Sequence, residues 1–117
     1  MISREHKYLF NLARIGMKIA ELFNVSGKVA IVTGGSRGIG EMIAAGFLAN
    51  GVKVYITARK EAALIEKAKE LSEMYNGECI PVPCDLSTME GMDNFVSFVQ
   101  SKEDNIDYLI NNAGASW

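Results

Sequence analysis

The sequence predicts an α/β fold built on a doubly wound parallel sheet, and three features predict it. Short apolar runs alternate with longer segments of helical periodicity, giving the order β-α-β-α-β-α-β from residue 29 onward. The first run, Val29-Ala30-Ile31-Val32, is unbroken, the pattern of a strand buried on both faces. It leads straight into Thr33-Gly34-Gly35-Ser36-Arg37-Gly38-Ile39-Gly40, ahead of a helical stretch. Right-handed crossovers then place the strands in the order 3-2-1-4, with helices on both faces. A ligand is expected beyond the carboxyl ends of the strands, at the reversal between strands 1 and 4.

Residues 1–26 read as an N-terminal helical extension, ahead of a nucleotide-binding portion at 27–117. Tyr8, Leu12, Ile15, Ile19 and Leu22 share one helical stripe, and Arg4, Lys7, Asn11, Arg14, Lys18 and Glu21 the other. Glu5 and Glu21 count against a transit peptide or a membrane-surface helix. A helix docked on its own domain or on another subunit is expected. Asn24 to Lys28 turns into strand 1. After Gly40, Ile43, Phe47 and Leu48 mark a helix that Gly51 ends as its C′ residue. Val52 to Thr57 is strand 2, with Val54 and Ile56 on one face and Tyr55 on the other. Glu61 to Tyr75 is a helix with Leu64, Ala68 and Leu71 inward, broken by Asn76-Gly77.

Cys79 to Cys84 is strand 3, placed at an edge because Pro81 and Pro83 cannot donate to a sheet ladder. Ser87 and Glu90 read as a capping box. The helix it opens carries Met92, Phe95, Val96 and Val99 inward and fades near Asp104-Asn105. Ile106 to Ile110 is strand 4, with Asn111-Asn112-Ala113-Gly114 at its carboxyl end. Every glycine-rich or polar loop singled out here lies at that same end of the sheet.

Composition narrows the function classes. A chain of 117 residues, 49% hydrophobic and 22% charged, supports one domain with a modest core. The net charge of −2 gives no basic field for nucleic acid. No apolar run reaches membrane-spanning length, and the N-terminus lacks the uncharged apolar core of a secretory signal. Cys79 and Cys84 lie an odd number apart in one strand, point to opposite faces and should not pair. No metal site is suggested, and His6 sits in a polar stretch. A cytoplasmic protein with no membrane or nucleic-acid partner is expected.

The strand–glycine–helix unit carries the chemistry. It brings backbone N–H groups and the positive end of a helix dipole to one point, which attracts phosphate. Gly34, Gly38 and Gly40 permit a tight turn, close approach to a pyrophosphate and close helix–strand packing. Their spacing, Gly34-x-x-x-Gly38-x-Gly40, differs from the G-x-G-x-x-G of other dinucleotide folds. Ser36 and Arg37 project from the loop. An NAD site usually carries an acidic residue about 20 positions past the glycines, which a 2′-phosphate would repel. Here Tyr55 to Lys60 contains no acid and offers Arg59 and Lys60. Arg59 can grip a 2′-phosphate through a bidentate fork, with Arg37 reaching from the glycine loop. NADP(H) is therefore expected over NAD(H).

Thr33, Gly34, Gly38, Ile39 and Gly40, together with Asp85 and Asn111-Asn112-Ala113-Gly114, resemble the motifs of the short-chain dehydrogenases/reductases, in content, order and strand position. The resemblance covers about residues 27–117 and implies a Rossmann-type sheet, here its N-terminal half and incomplete. It implies that Asp85 lies by the adenine with Leu86 beside it, and that Asn111, Asn112, Ala113 and Gly114 support the sheet and contact the cofactor ribose. Thr57-Ala58-Arg59-Lys60 with Asn111 to Trp117 looks most like the rhamnolipid-biosynthesis, 3-oxoacyl-type reductases.

One departure bears on activity. The family's proton donor is a Tyr in Tyr-x-x-x-Lys, helped by an upstream Ser. Tyr8, Tyr55, Tyr75 and Tyr108 are followed four residues on by Leu12, Arg59, Cys79 and Asn112. No catalytic residue carries over. Two readings stand. The first is the cofactor-binding fragment of an NADP-dependent oxidoreductase that reduces a carbonyl, possibly 3-oxoacyl, substrate, inactive alone and prone to self-association or to pairing with a complementary fragment. The second is a short non-catalytic protein of the same fold that binds a nucleotide or a partner.

Overall fold

A computed structural model describes residues 19–112; the glycine motif and all four strands lie within them. The elements are α1 (Ile19–Leu22), β1 (Val29–Thr33), α2 (Gly38–Ala49), β2 (Lys53–Ala58), α3 (Glu61–Tyr75), β3 (Cys79–Pro83), α4 (Met89–Lys102) and β4 (Tyr108–Ile110). The extended stripe of the N-terminal helix, apart from its last turn, falls outside the described residues, as do Ala113 and Gly114.

The sheet has the order β3-β2-β1-β4, all parallel, as the pattern of runs predicts. Alternation along the strands builds two cores. Ala30, Val32, Val54, Ile56 and Cys79 pack with Ala44 and Leu48 of α2 and Leu64, Ala68 and Leu71 of α3. Ile31, Tyr55 and Val82 pack on the other face with Phe95 and Val99 of α4. Tyr55 therefore lies opposite Val54 and Ile56, and Cys79 opposite Cys84, as expected. Both cysteines are free thiols.

The helix ends follow local chemistry. Gly51 has φ +79°, and its N–H donates to Leu48 O at 3.1 Å while Val52 N–H donates to Phe47 O at 3.1 Å. That pair of bonds is a Schellman closure, with apolar Val52 and Phe47 both on the core. Asn76 ends α3 in the left-handed region at φ +48°, a conformation Asn tolerates better than most residues. Ser72 of α3 then receives the N–H of Cys79 at 3.0 Å, tying the helix end to β3.

Edge placement of β3 rests on the proline parity. Cys84 N–H donates to Ala58 O at 3.1 Å, so even-numbered amides of β3 face β2. Pro81 and Pro83 occupy the outward slots, where no donor is needed.

Three expectations need correction. The cap of α4 is Thr88, not Ser87: Thr88 Oγ1 accepts from Gly91 N–H at 3.0 Å. Ser87 is already engaged, its N–H and hydroxyl both donating to Asp85 Oδ1 at 3.0 and 2.6 Å. The inward face of α4 is Gly91, Phe95, Phe98 and Val99, whereas Met92 and Val96 are exposed. Gly91 belongs there because a Cβ would strike the Asp85 carbonyl. Last, β4 spans only Tyr108–Ile110. Ahead of it, Asp107 takes over the ladder: its N–H donates to Val29 O at 2.9 Å and its carboxylate accepts Val29 N–H at 2.9 Å.

β4 is covered unequally. Tyr108 stacks on Phe47 of α2, ring centroids 5.5 Å apart. Leu109, in register with Ile31 and so on the α4 side, is 64% exposed.

At the amino ends of the strands, Glu103 closes α4. Its carboxylate accepts from Lys53 Nζ at 2.7 Å and from the Tyr55 hydroxyl at 2.8 Å, while Lys53 also reaches Glu78 at 3.2 Å. Burial, then the bond to Glu103, pushes the Tyr55 phenol up to about 12. The Lys53 bond holds the Glu103 carboxyl below its usual range.

Candidate nucleotide-binding site

The site is built at the carboxyl ends of β1, β2, β3 and β4. Thr33 closes β1 and is buried, and its hydroxyl is the local junction. It accepts Asn112 N–H at 2.8 Å and lies 3.4 Å from Ile110 O and 3.3 Å from Asn111 Oδ1. Gly34 follows at φ +67°, its N–H donating to Thr57 O of β2 at 3.0 Å. Asn112 Nδ2 donates to Gly34 O at 3.3 Å. The glycine loop is thus fastened to β2 on one side and to the residues after β4 on the other.

The glycines do different things. Gly35 lies against Ile56, where a Cβ would sit 2.5 Å from Ile56 Cγ2. Gly40 presses on the loop backbone, where a Cβ would strike the Gly34 carbonyl and come within 2.7 Å of Asn112 Nδ2. Gly38 has φ +60° and open space at its Cβ direction. Helix α2 begins at Gly38, two residues earlier than the periodicity alone suggests. Its N-cap, Arg37, is extended and makes no side-chain cap bond. The first turn of α2 therefore offers its amides to an acceptor from outside the protein.

Around this opening, Ser36 is half-buried and Arg37 and Ile39 are exposed. Arg59 stands just past β2, exposed, and Asp85 and Leu86 just past β3. Leu86 packs on the α4-side core. The Asp85 carboxyl is held below its usual range, first by the Ser87 hydroxyl, then by the Ser87 N–H, and also by the charge of Arg59. Arg37 and Arg59 lie on two different loops of the same sheet end, and neither forms an ion pair among the described residues. Thr33 and Asn111 belong to motifs read from the sequence, but the junction made by the Thr33 hydroxyl and the packing of Gly35 on Ile56 were not assigned there. A lone Thr ending an apolar strand was the available signal, because a buried hydroxyl needs partners.

Residues 28–117 match the family model described as short chain dehydrogenase. The chain belongs to that family. It is 43% identical over 95 residues to the rhamnolipids biosynthesis 3-oxoacyl-[acyl-carrier-protein] reductase of Pseudomonas aeruginosa, covering 81% of this chain and 36% of that protein. It is 42% identical over 101 residues to a fatty acyl-CoA reductase of Acinetobacter baylyi, covering 85% of this chain and 34% of that protein. Among solved structures, an RhlG/NADP active-site complex from Pseudomonas aeruginosa superposes with a TM-score of 0.75 at 44% identity, covering 80% of this chain and 37% of that one. The L-sorbose reductase of Gluconobacter frateurii, complexed with NADPH and L-sorbose, gives 0.75 at 41% identity, covering 79% and 35%. This short-chain dehydrogenase chain spans about a third of the length of the relatives it matches. The doubly wound sheet is that of the family's N-terminal half.

Two further facts concern the described residues. No helix is long and apolar enough to cross a membrane. No group of His, Cys, Asp and Glu could hold a metal ion.

Proposed function

We propose that residues 27–117 form the NADP(H)-binding portion of a carbonyl-reducing oxidoreductase. The observation that carries this is the pairing of an open, uncapped helix start at Gly38 with a β2 end that bears Arg59 and Lys60 and no acid. The residues fit a dinucleotide phosphorylated on its ribose. The first turn of α2, with Gly34, Ser36, Gly38, Ile39 and Gly40, would receive the pyrophosphate. Arg37 and Arg59 would grip the 2′-phosphate. Asp85 and Leu86 would flank the adenine, and Asn112, Ala113 and Gly114 the ribose. Bound NADPH would supply a hydride to the carbonyl carbon.

The chain's own part is to bind and orient. It holds no Tyr-x-x-x-Lys, so we propose that these 117 residues alone do not turn over substrate. The relatives named for 3-oxoacyl-[acyl-carrier-protein], fatty acyl-CoA and L-sorbose reduction support a carbonyl as the substrate class. A cytoplasmic setting is part of the same proposal; Cys79 and Cys84, on opposite faces of the sheet, do not bear on it. The single-sided cover of β4 supports self-association or pairing with a complementary fragment through that edge.

The test is a titration of NADPH and NADH against wild type and Arg59→Ala. Tighter NADPH binding that Arg59→Ala removes is expected. Equal affinities in wild type, or an unchanged preference in the variant, would falsify the assignment.

A further inference from the structure

We propose that Lys67 is a positioning residue of the phosphate loop: by holding Glu41 against α3, it keeps the first-turn amides of α2 open for the pyrophosphate. The proposal rests on the pyrophosphate placement in the NADP(H) reading.

The conflict it resolves is built into the sequence. Glu41 is the one charged residue of α2 and stands in its first turn. Its N–H donates to Arg37 O at 3.3 Å, so it lies one turn above the helix start. A carboxylate there is drawn to the same unpartnered amides, and the same positive dipole end, that a phosphate needs. Side chains on a helix lean toward its N-terminus. The Gly38 N–H lies three residues behind Glu41, the spacing over which a capping-box carboxylate reaches back. Left free, Glu41 would cap α2 from within and contest the ligand's place.

The structure holds it elsewhere. Glu41 shares a helical stripe with Ala44 and Leu48, and Lys67 one with Leu64 and Leu71, and these apolar side chains lie in one core. The two charges therefore meet across the seam of the helices, with Lys67 Nζ 2.8 Å from Glu41 Oε1. Both side chains are half-buried. Lys67 is itself steadied by Glu70, at 3.0 Å one turn further along α3. At the N-cap, Arg37 makes no side-chain cap bond. The loop end of α2 is left open while the acid best placed to close it is tied to the next helix.

The experiment titrates NADPH and NADH against the whole chain by fluorescence. Lys67→Ala should weaken both about two- to fivefold, the scale of one carboxylate at a helix N-terminus. Their ratio should not change, because both carry the pyrophosphate. Lys67→Arg should bind as wild type does. In a Glu41→Ala background, Lys67→Ala should cost nothing further. Without ligand, the Gly38 amide followed by NMR should exchange more slowly in Lys67→Ala than in wild type, as the carboxylate covers it. An equal loss in both backgrounds means that the lysine charge attracts the ligand directly, and overturns the proposal. So does no loss, a loss confined to NADPH, or a Gly38 amide whose exchange ignores Lys67. Equal wild-type affinities overturn the 2′-phosphate assignment alone, since the Lys67 effect is read on both cofactors. A wild-type chain that binds neither overturns the nucleotide reading and this proposal with it.

Discussion

Two alanine substitutions on one helix should have opposite signs. Gly40 and Gly46 both lie in α2, and both would gain about 1 kcal/mol from the better helix propensity of Ala. Gly46 is exposed, with nothing within 4 Å of an added Cβ, so that gain should appear in full. At Gly40 the Cβ would strike the Gly34 carbonyl and lie 2.9 Å from Gly34 C and 2.7 Å from Asn112 Nδ2. Two of those three atoms are backbone of a loop pinned to Thr57, so they cannot swing aside. Relieving the overlap costs about 1–3 kcal/mol, and losing the Asn112–Gly34 bond about 1 kcal/mol more. Gly40→Ala should therefore destabilise by about 1–3 kcal/mol after the propensity gain is set against it. Urea unfolding followed by far-UV circular dichroism measures both variants against wild type. A Gly40→Ala chain as stable as Gly46→Ala would show that α2 does not bear on the loop backbone, and the account of the glycine spacing would fail.

Thr33→Val should cost about 1–3 kcal/mol and expose the Asn112 amide to faster hydrogen exchange, because it removes the acceptor of that N–H. Stability should fall as pH rises from about 10, where an unfolded Tyr titrates, towards the native Tyr55 value of about 12, since the native state keeps that proton longer. Tyr55→Phe should flatten that alkaline limb in thermal melts at stepped pH. On the acid side, the depressed Glu103 carboxyl contributes stability that is lost as pH falls through its folded value, and Glu103→Gln should remove that loss. A thiol reagent should label half-buried Cys84 before Cys79, whose burial pushes it up to about 12; equal rates in the native state would contradict the deeper burial of Cys79. Light scattering should find the chain self-associated, with the outward-facing Leu109 amide slow to exchange; a monodisperse monomer whose Leu109 amide exchanges fast would rule the edge out.

Much of this fold was legible because periodicity and punctuation agree. Alternation placed Val54 and Ile56 against Tyr55, and the bounds of α3 follow from Leu64, Ala68 and Leu71 with Asn76-Gly77 behind them. The prolines of β3 declared its edge. What failed was decided by competition for hydrogen bonds or by tertiary approach. Ser87 and Thr88 are equally good caps in sequence, and Asp85 settles the choice by claiming Ser87. Phe98 replaces Met92 and Val96 on the core because it meets Tyr55 edge-on at 6.4 Å, a contact no one-dimensional stripe contains. β4 is short because an Asp side chain can substitute for strand backbone at Val29. For the site, residue types and spacing indicated the loops, while the junction role of Thr33 depends on partners 77 to 79 residues away.

That junction makes two distant events one equilibrium. The Thr33 hydroxyl and the Asn112 side chain join the glycine loop to the end of β4, so a β4 that leaves the sheet takes two of the loop's hydrogen bonds with it. Whatever steadies β4 from its open side should then tighten nucleotide binding, and nucleotide should tighten the docking on β4 by the same factor, because the coupling free energy is shared. The seating of β4 and the shape of the glycine loop are then one property of the fold, held by the Thr33 hydroxyl and the Asn112 side chain together.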